Sequence, residues 1–369
     1  MEINKIPIKN RKDEHIYLVS KEEVESHDTT WLEHVRFVHN ALPELNLDDV
    51  SLSCTFLEKS ISAPIIIGAM TGGTDLTKKI NVSLAKAAQK YRIPMMVGSQ
   101  RVILRHPETK ESFSAVREHA PDIPIVGNLG IAQIAVSENF NYVKQVIDNI
   151  EADALAIHLN VIQELIQPEG DKVFSGVIDN IKVLKKQYDI PIVIKETGCG
   201  ISREVAQMLV DVGVDIIDVS GVGGTSWVAV EYYRAKKEKI KSKMELGELY
   251  WDWGIPTAPS IIEVNSVLKN SPHTNIKIIG SGGIRTGIDV AKALRLGADY
   301  TALARPFLMV ALESQESIEN FIDKLLRELK ITMLLTSSRT VDELKKAPII
   351  IGSSLKEWVE KRKINLEGV

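Results

Sequence analysis

Cysteine is almost missing from this chain: Cys54 and Cys199 are the only two in 369 residues. Two cysteines cannot build the disulfide framework of a small secreted fold, and their scarcity suits a reducing compartment. A basic excess is missing as well, because 45 Lys and Arg stand against 49 Asp and Glu, a formal charge of −4. Non-specific binding to nucleic acid therefore has no electrostatic basis. Long hydrophobic runs are absent: PIIIGAM is typical of the longest, far short of the roughly 20 residues that span a bilayer. The N-terminal stretch MEINKIPIKNRKDEH has no apolar centre of the signal-peptide kind. A cytoplasmic protein without a membrane partner is expected. With 44% hydrophobic and 25% charged residues, the composition excludes disordered and fibrous classes.

What the chain does have is a repeated short apolar run. Eight occur: Pro64–Met70, Pro94–Ser99, Pro124–Gly130, Ala154–Asn160, Pro191–Glu196, Ile216–Gly221, Ile276–Gly283 and Tyr300–Arg305. Each is too continuously apolar for a half-exposed strand and reads as a strand buried on both faces. Four open with Pro, where a missing N–H matters least. Between them lie helical patterns, such as Leu76–Tyr91, with Ile80, Leu84, Ala87, Ala88 and Tyr91 on one face. Another, Ser202–Val212, has Ser202 as N-cap and Gly213 as its stop. Eight strand–helix units of about 30 residues predict a closed α/β fold, the TIM (β/α)8 barrel, because an open doubly wound sheet usually has fewer strands. The expected divisions are an N-terminal arm over 1–63, the barrel over 64–314 and a C-terminal helical extension over 315–369. The segment 221–257 after strand six far exceeds an ordinary βα loop. Its charged middle predicts a helix, and Trp227, Trp251 and Trp253 suggest a folding lid.

Catalytic groups of such barrels sit at the C-terminal strand tips. Every tip here is polar or glycine-rich: Thr71, Ser99-Gln100-Arg101, Asn128, His158 and Asn160, Lys195, Ser220, and Gly282-Gly283 with Arg285. The run GSGGIRTG leads into a helix pattern, and strand eight ends at Ala304-Arg305. Backbone amides and a helix N-terminus there would hold a phosphate. Lys195 could form a Schiff base, balance a carboxylate or face the electron-rich edge of a flavin. Glu164 and Glu169 could hold Mg²⁺ through a few oxygens, or Glu164 could simply favour a helix start. Arg11, Lys12 and His15, with Arg101, would form a second anion site if the arm covers the barrel mouth. A solvated tail is the plainer reading of that run.

Taken together, RKDEHI, GAMTGG, VGSQR, HLNVIQE with QPEGD, PIVIKETG, GVGGTSW, and GSGGIRTG with ARPF resemble the type 2 isopentenyl-diphosphate isomerase family. GSGGIR is shared with other FMN barrels, whereas RKDEHI, SQR and HLNxxQE…QPEGD are specific to the isomerases. The resemblance implies FMN lined by Ala69, Met70, Thr71, Ser99, Asn128, Lys195, Ser220 and Thr225. Its phosphate would rest on Gly282, Gly283, Arg285, Ala304 and Arg305. Arg11, Lys12, Ser99, Gln100, Arg101 and Gln163 would bind a small diphosphate, completed by His15, His158 and Asn160, with Glu164 as Mg²⁺ ligand. Gln163 would act catalytically beside N5 of reduced FMN. NADPH would serve only as the flavin's reductant, and a homotetramer or a pair of them would be the assembly. Ala304 departs from the glycine found there in several FMN barrels. The alternative is an FMN oxidoreductase of the 2-hydroxy-acid oxidase type, although no His follows strand seven. A non-catalytic flavin- or phosphate-binding module would leave the carboxylates and the arm without a role.

Overall fold

The computed structural model describes residues 11–135, 139–271 and 275–365. The first ten residues of the expected arm and the last four of the tail lie outside them. Eight parallel strands close into a barrel: β1 (Ile65–Ile67), β2 (Met95–Met96), β3 (Ile125–Gly130), β4 (Ala154–Leu159), β5 (Ile192–Glu196), β6 (Ile216–Asp218), β7 (Lys277–Ser281) and β8 (Tyr300–Leu303). Each begins within one residue of its apolar run. Several end earlier than the runs do, β1 at Ile67 and β6 at Asp218 among them, because the tips leave the ladder and turn into the mouth.

Side chains on the two strand faces enter different cores, which is why the runs are continuously apolar. Ile66, Met96, Val126, Ala154, Ala156, Val193, Ile216 and Ile279 fill the interior. A hairpin of Cys54–Phe56 and Lys59–Ile61 closes the N-terminal end. Its Phe56 meets Tyr300 edge-on at 4.9 Å, and the Tyr300 hydroxyl donates to the Thr55 carbonyl. Outward-facing residues such as Ile65, Ile67, Leu129 and Ile157 pack under the helices. Among the helices around the barrel are α1 (Arg11–Lys21), α2 (Asp75–Tyr91), α3 (Val161–Ile166) and α4 (Trp227–Glu238). The Thr74 hydroxyl caps α2 by accepting from the Thr77 amide. Ser202 caps the helix Arg203–Asp211 in the same way through the Val205 amide.

A polar device recurs under three of the even-numbered strands. Asp153, Asp215 and Asp299 immediately precede β4, β6 and β8. Their carboxylates accept from the Ile125, Ile192 and Ile278 amides of the preceding strand at 2.8, 2.8 and 3.0 Å. Each carboxylate also meets a cation: Arg117 at 2.7 Å, Lys185 at 2.6 Å and Lys345 at 2.9 Å. Three carboxylates thus set the register of three strand pairs from below.

The arm is more ordered than its weak pattern predicts. Ile16, Leu18 and Val19 of α1 are buried, and Val35–Phe37 pairs antiparallel with Ile349–Ile351 of the tail. The segment after β6 holds two helices rather than one, α4 and Lys241–Leu249. It is tied to the arm where Ser26 Oγ and the His27 amide donate to Asp252, both at 2.7 Å. The tail helix Gln315–Leu335 packs through Ile318, Ile322, Leu325 and Leu329. The last helix, Ser353–Lys361, docks through buried Glu263, which accepts from Trp358 Nε1 at 2.9 Å and Arg362 Nε at 2.7 Å. Among the described residues no helix is long and apolar enough to cross a membrane.

Asp153 carries the clearest stability prediction. Burial opposes its charge, but Lys59, the Ile125 amide and Arg117 outweigh it and hold the carboxyl below its ordinary value. Its stabilising contribution is therefore present at neutral pH and is lost as pH falls below about 4. Asp153→Ala should lower stability by about 1.5–3 kcal/mol. Denaturant titrations at pH 7 and pH 3.5 should show a smaller difference between mutant and wild type at the lower pH.

Candidate functional site

Register brings the site's polar residues into line. Gly130, His158, Lys195 and Asp218 are successive partners across β3, β4, β5 and β6, so their side chains share one level. Asp218 pairs in turn with Ile279, which faces the interior. Glycine at 130 makes room for the imidazole, since a Cβ there would stand 2.9 Å from His158 Nε2. Above this level lies a cleft of about 1550 Å³, counting its mouth open to solvent.

Almost every expected site residue lines this one cleft. Arg11, Lys12 and His15 come from α1, Ala69, Met70 and Thr71 from the turn after β1, and Ser99 and Arg101 from that after β2. Asn128, His158, Asn160, Gln163, Glu164, Lys195, Ser220 and Thr225 follow. Gly282, Gly283, Arg285, Ala304 and Arg305 complete the far side. Gln100, expected to bind the diphosphate, is the exception and does not line the cleft. It is fully buried behind β3, with Nε2 donating to the Val146 carbonyl at 3.0 Å and Oε1 accepting from the Asn128 amide at 3.0 Å. One end is used on the helix Asn141–Ile150 and the other on β3, so the side chain does not reach the cleft. Glu169 is outside the lining too, pairing with Arg234 at 3.1 Å and Arg11 at 3.5 Å. Asp171 pairs with Arg101 at 3.0 Å.

Two important acids escaped sequence reasoning. Asp218 is fully buried, accepts from Ser281 Oγ at 2.5 Å and lies 3.9 Å from Lys195 Nζ. Burial pushes its carboxyl up, and Lys195 offsets part of that. A carboxylate inside a strand buried on both faces was the signal that could have revealed it. Glu231 of α4 is also fully buried. Its Oε1 accepts from Gln163 Nε2 at 3.2 Å and lies 3.3 Å from His15 Nε2; its Oε2 takes Arg234 Nη1 at 2.7 Å. Burial works against its charge, but His15, Arg234 and Gln163 bring the net shift below the ordinary carboxyl value. Nothing in the charged run around it distinguished Glu231 from solvated neighbours.

Hydrogen bonds decide the state of His158. Asn128 Nδ2 donates to the Val97 carbonyl at 3.0 Å, which turns Oδ1 toward His158 Nδ1 at 2.8 Å. The ring proton therefore sits on Nδ1 and Nε2 is left as an acceptor. Burial first, then the charges of Lys195, Lys12 and Arg101, push the pKa down to about 3. Lys12 is lowered to about 8, mainly by burial and then by Arg11. Glu164 keeps both oxygens engaged, one with Asn160 Nδ2 at 3.0 Å and the other with the Asp171 amide at 2.9 Å. Among the described residues no cluster of three or more His, Cys, Asp or Glu could cage a metal. A cation at Glu164 would therefore draw further oxygens from a ligand or water.

A ligand-shaped demand is visible in the polar atoms. Among the described residues, five buried side-chain atoms make no hydrogen bond within the geometric limits: His15 Nε2, which has only its ion pair with Glu231, Asp218 Oδ2, which has only Lys195 at 3.9 Å, Thr71 Oγ1, Asn160 Oδ1 and Thr225 Oγ1. All five residues line this cleft. Native interiors rarely leave such groups without a hydrogen bond, so the surroundings fit a large polar ligand. Gly282 and Gly283 have φ of +94° and +73°, and a Cβ on either would strike the Gly221 or Gly223 backbone. Only glycine allows that tight turn beside Arg285, as a phosphate cradle needs.

Isopentenyl-diphosphate delta-isomerase of Pyrobaculum islandicum is 46% identical over 97% of this chain and 99% of its own. The chain belongs to the isopentenyl-diphosphate delta-isomerase family. Its Sulfurisphaera tokodaii member is 45% identical over 98% of this chain and 96% of its own. Residues 161–350 also match the FMN-dependent dehydrogenase family. The flavin-binding domain of baker's yeast flavocytochrome b2 superposes with a TM-score of 0.69 at 19% identity, covering 93% of this chain and 84% of that one. A mandelate oxidase superposes at 0.61 and 16%, covering 91% and 96%. At such identities the likeness is one of fold. The two isomerases resemble this chain over nearly its whole length, arm included.

His158 should stay neutral throughout ordinary buffers. Its ring C–H resonances are expected to show no titration between pH 5 and pH 9 by NMR. A midpoint near the ordinary value of about 6.5 would mean that the Asn128 contact does not hold.

Proposed function

We propose that this protein is an FMN- and Mg²⁺-dependent isomerase that interconverts isopentenyl and dimethylallyl diphosphate, a 1,3-allylic proton shift without net redox change. The observation that carries the proposal is one cleft with two sets of cations on different elements. Arg285 and Arg305 follow β7 and β8, whereas Arg11 and Lys12 come from α1 and Arg101 follows β2. Two sets suit a phosphate-bearing cofactor and a diphosphate substrate held together.

On this reading Gly282, Gly283, Arg285, Ala304 and Arg305 hold the FMN phosphate. Ala69, Met70, Thr71, Ser99, Asn128, Ser220 and Thr225 line the rest of the cofactor, with Lys195 as the cation beside the ring. When bound, reduced FMN supplies an acid–base centre next to the alkene; NADPH is needed only as its reductant. Arg11, Lys12, Ser99 and Arg101 fix the diphosphate, and Glu164 shares Mg²⁺ with its oxygens. Ile16, Val19, Met70, Trp227 and Leu308 wall the cleft with apolar surface, keeping water from a carbocation-like centre. Gln163 is the catalytic side chain at the reacting end. Its orientation is imposed by Glu231 through Nε2 and by Asn160 Nδ2 on Oε1 at 3.3 Å. His158, with Nε2 as acceptor, contributes no positive charge to the diphosphate; His15 and Asn160 complete that pocket. A homo-oligomer belongs to the same reading, supported by exposed Leu42, Leu249 and Ile350.

The 2-hydroxy-acid oxidase alternative has the fold in its favour, but the turn after β7 reads Gly282-Gly283-Ile284-Arg285 and contributes no imidazole base to the cleft. The deciding experiment incubates purified protein with isopentenyl diphosphate, FMN, Mg²⁺ and a reductant. Dimethylallyl diphosphate should form without stoichiometric NADPH use. Oxidation of a 2-hydroxy acid in its place would establish the alternative.

Two predictions follow from the diphosphate side. Free enzyme should lose kcat/KM above about pH 8, approaching tenfold per pH unit, as Lys12 gives up its proton. Lys12→Arg, which stays charged, should move that alkaline limb upward. Glu164→Gln keeps size but removes charge, so the Mg²⁺ concentration for half-maximal rate should rise about tenfold or more. FMN content, read from the visible spectrum, should not change.

A further inference from the structure

Glu25 carries a contact that neither the motifs nor the cofactor reading uses. It follows α1 on the arm, where its backbone bridges Thr225 and its carbonyl takes the Trp251 indole N–H at 3.0 Å. Its carboxylate meets the two arginines that follow β7 and β8. Oε1 accepts from Arg285 Nη2 at 2.7 Å and from Arg305 Nη1 at 2.5 Å. Each guanidinium also has a second anchor: Arg285 Nη1 donates to the Ile284 carbonyl at 3.3 Å, and Arg305 Nε donates to the Val19 carbonyl at 3.1 Å.

We propose that Glu25 is the positioning residue of the cofactor-phosphate site, holding Arg285 and Arg305 side by side so that their remaining N–H donors meet the phosphate together. The inference rests on the FMN reading given above. Two guanidiniums of like charge, 34% and 24% exposed in their side chains, would otherwise separate toward solvent, because long side chains keep much of their rotamer freedom at a surface. One carboxylate oxygen between them removes the repulsion and gives each planar group two fixed points. Binding then orders less, and preorganisation of this kind tightens it.

An opposing effect has to be weighed. Glu25 bears the same sign as a phosphate and repels it. Its side chain is 45% exposed, however, so that repulsion is screened by water and salt. Orientation of two guanidiniums through direct hydrogen bonds is short-ranged and escapes screening. Positioning therefore outweighs repulsion. Glu25 also stays anionic: burial opposes its ionisation, but Arg285 and Arg305 hold its carboxyl below the ordinary value.

The contact also changes how the arm is understood. From the sequence, the arm and the β7 loop were expected to form separate anion sites. Glu25 and the Val19 carbonyl instead place arm groups against both arginines after β7 and β8, so seating of the arm and binding of the phosphate are coupled.

FMN and riboflavin differ by the phosphate alone, which isolates this role from any general effect on the fold. Dissociation constants of both flavins, measured on deflavinated full-length protein by fluorescence quenching, give the test. Wild type should prefer FMN. Glu25→Ala should weaken FMN by about tenfold and leave riboflavin within about twofold, so the preference collapses. Glu25→Gln keeps the length and an acceptor and should lose less; should the alanine protein not fold, the glutamine protein carries the test with the same sign. An unchanged or larger FMN preference in these variants would overturn the proposal, as would equal weakening of both flavins. A wild type without preference for FMN would instead overturn the cofactor reading itself.

Discussion

Everything in this molecule depends on the pairing of Tyr300–Leu303 with Ile65–Ile67, which joins the last barrel strand to the first. That ladder joins residues more than 230 positions apart, a closure with a substantial chain-entropy cost. Burial of both strand faces supplies the compensation, with one core inside the ring and another beneath the helices. Closure leaves no exposed sheet edge and gathers eight strand tips around one mouth. The same ring sets lateral register, so that His158, Lys195 and Asp218 stand at one level. The aspartates beneath β4, β6 and β8 reinforce that register from the opposite end of the strands.

The site is polar in a place where polarity is expensive. Lys195, Asp218, Glu231 and Arg234 are all buried, and isolated charges would be unstable there. They persist as two partnered groups, Lys195 beside Asp218 at 3.9 Å and a larger one around Glu231. Glu231 joins His15, Gln163 and Arg234, and Arg234 extends the set to Glu14 at 3.1 Å and to Glu169. Such a network orients what it touches more than it stabilises the fold. Gln163 shows the effect: its amide has one available orientation because an acceptor waits at one end and a donor at the other. Arm, α3 and α4 are held together by charges rather than by apolar contact alone. Substrate-facing residues are thus carried by the same elements that form the roof of the cleft.

The arm is the part of the chain whose importance is least evident from its composition. Residues 11–34 touch the loops after β6, β7 and β8 through backbone and side chains: the Ser26 amide donates to the Gly224 carbonyl and the Ala258 amide to the Thr30 carbonyl. Helix α1 contributes Arg11, Lys12 and His15 to the cleft, while Glu25 meets the arginines that follow β7 and β8. A short amphipathic helix of eleven residues is marginal in isolation. Its order here comes from packing on the barrel.

The sequence by itself determined the strands, their number and the order of strand and helix, because burial on both faces writes a local apolar run that needs no partner to be recognised. Caps such as Ser202 were legible for the same reason: they act over three residues. Most of the cleft was legible too, since strand tips are adjacent to the runs that announce them. Only the tertiary structure decided what lies between elements distant in the chain. Gln100 stood in a motif at a strand tip and yet turns behind β3. Glu231 stood in a charged run and yet is buried against Gln163, 68 positions away. Glu25 meets two arginines 260 and 280 positions further along. The physical reason is the range of the forces. Periodic burial and capping are local and leave a local pattern, whereas the direction in which a side chain pairs depends on which distant charge the closed ring brings within three ångströms.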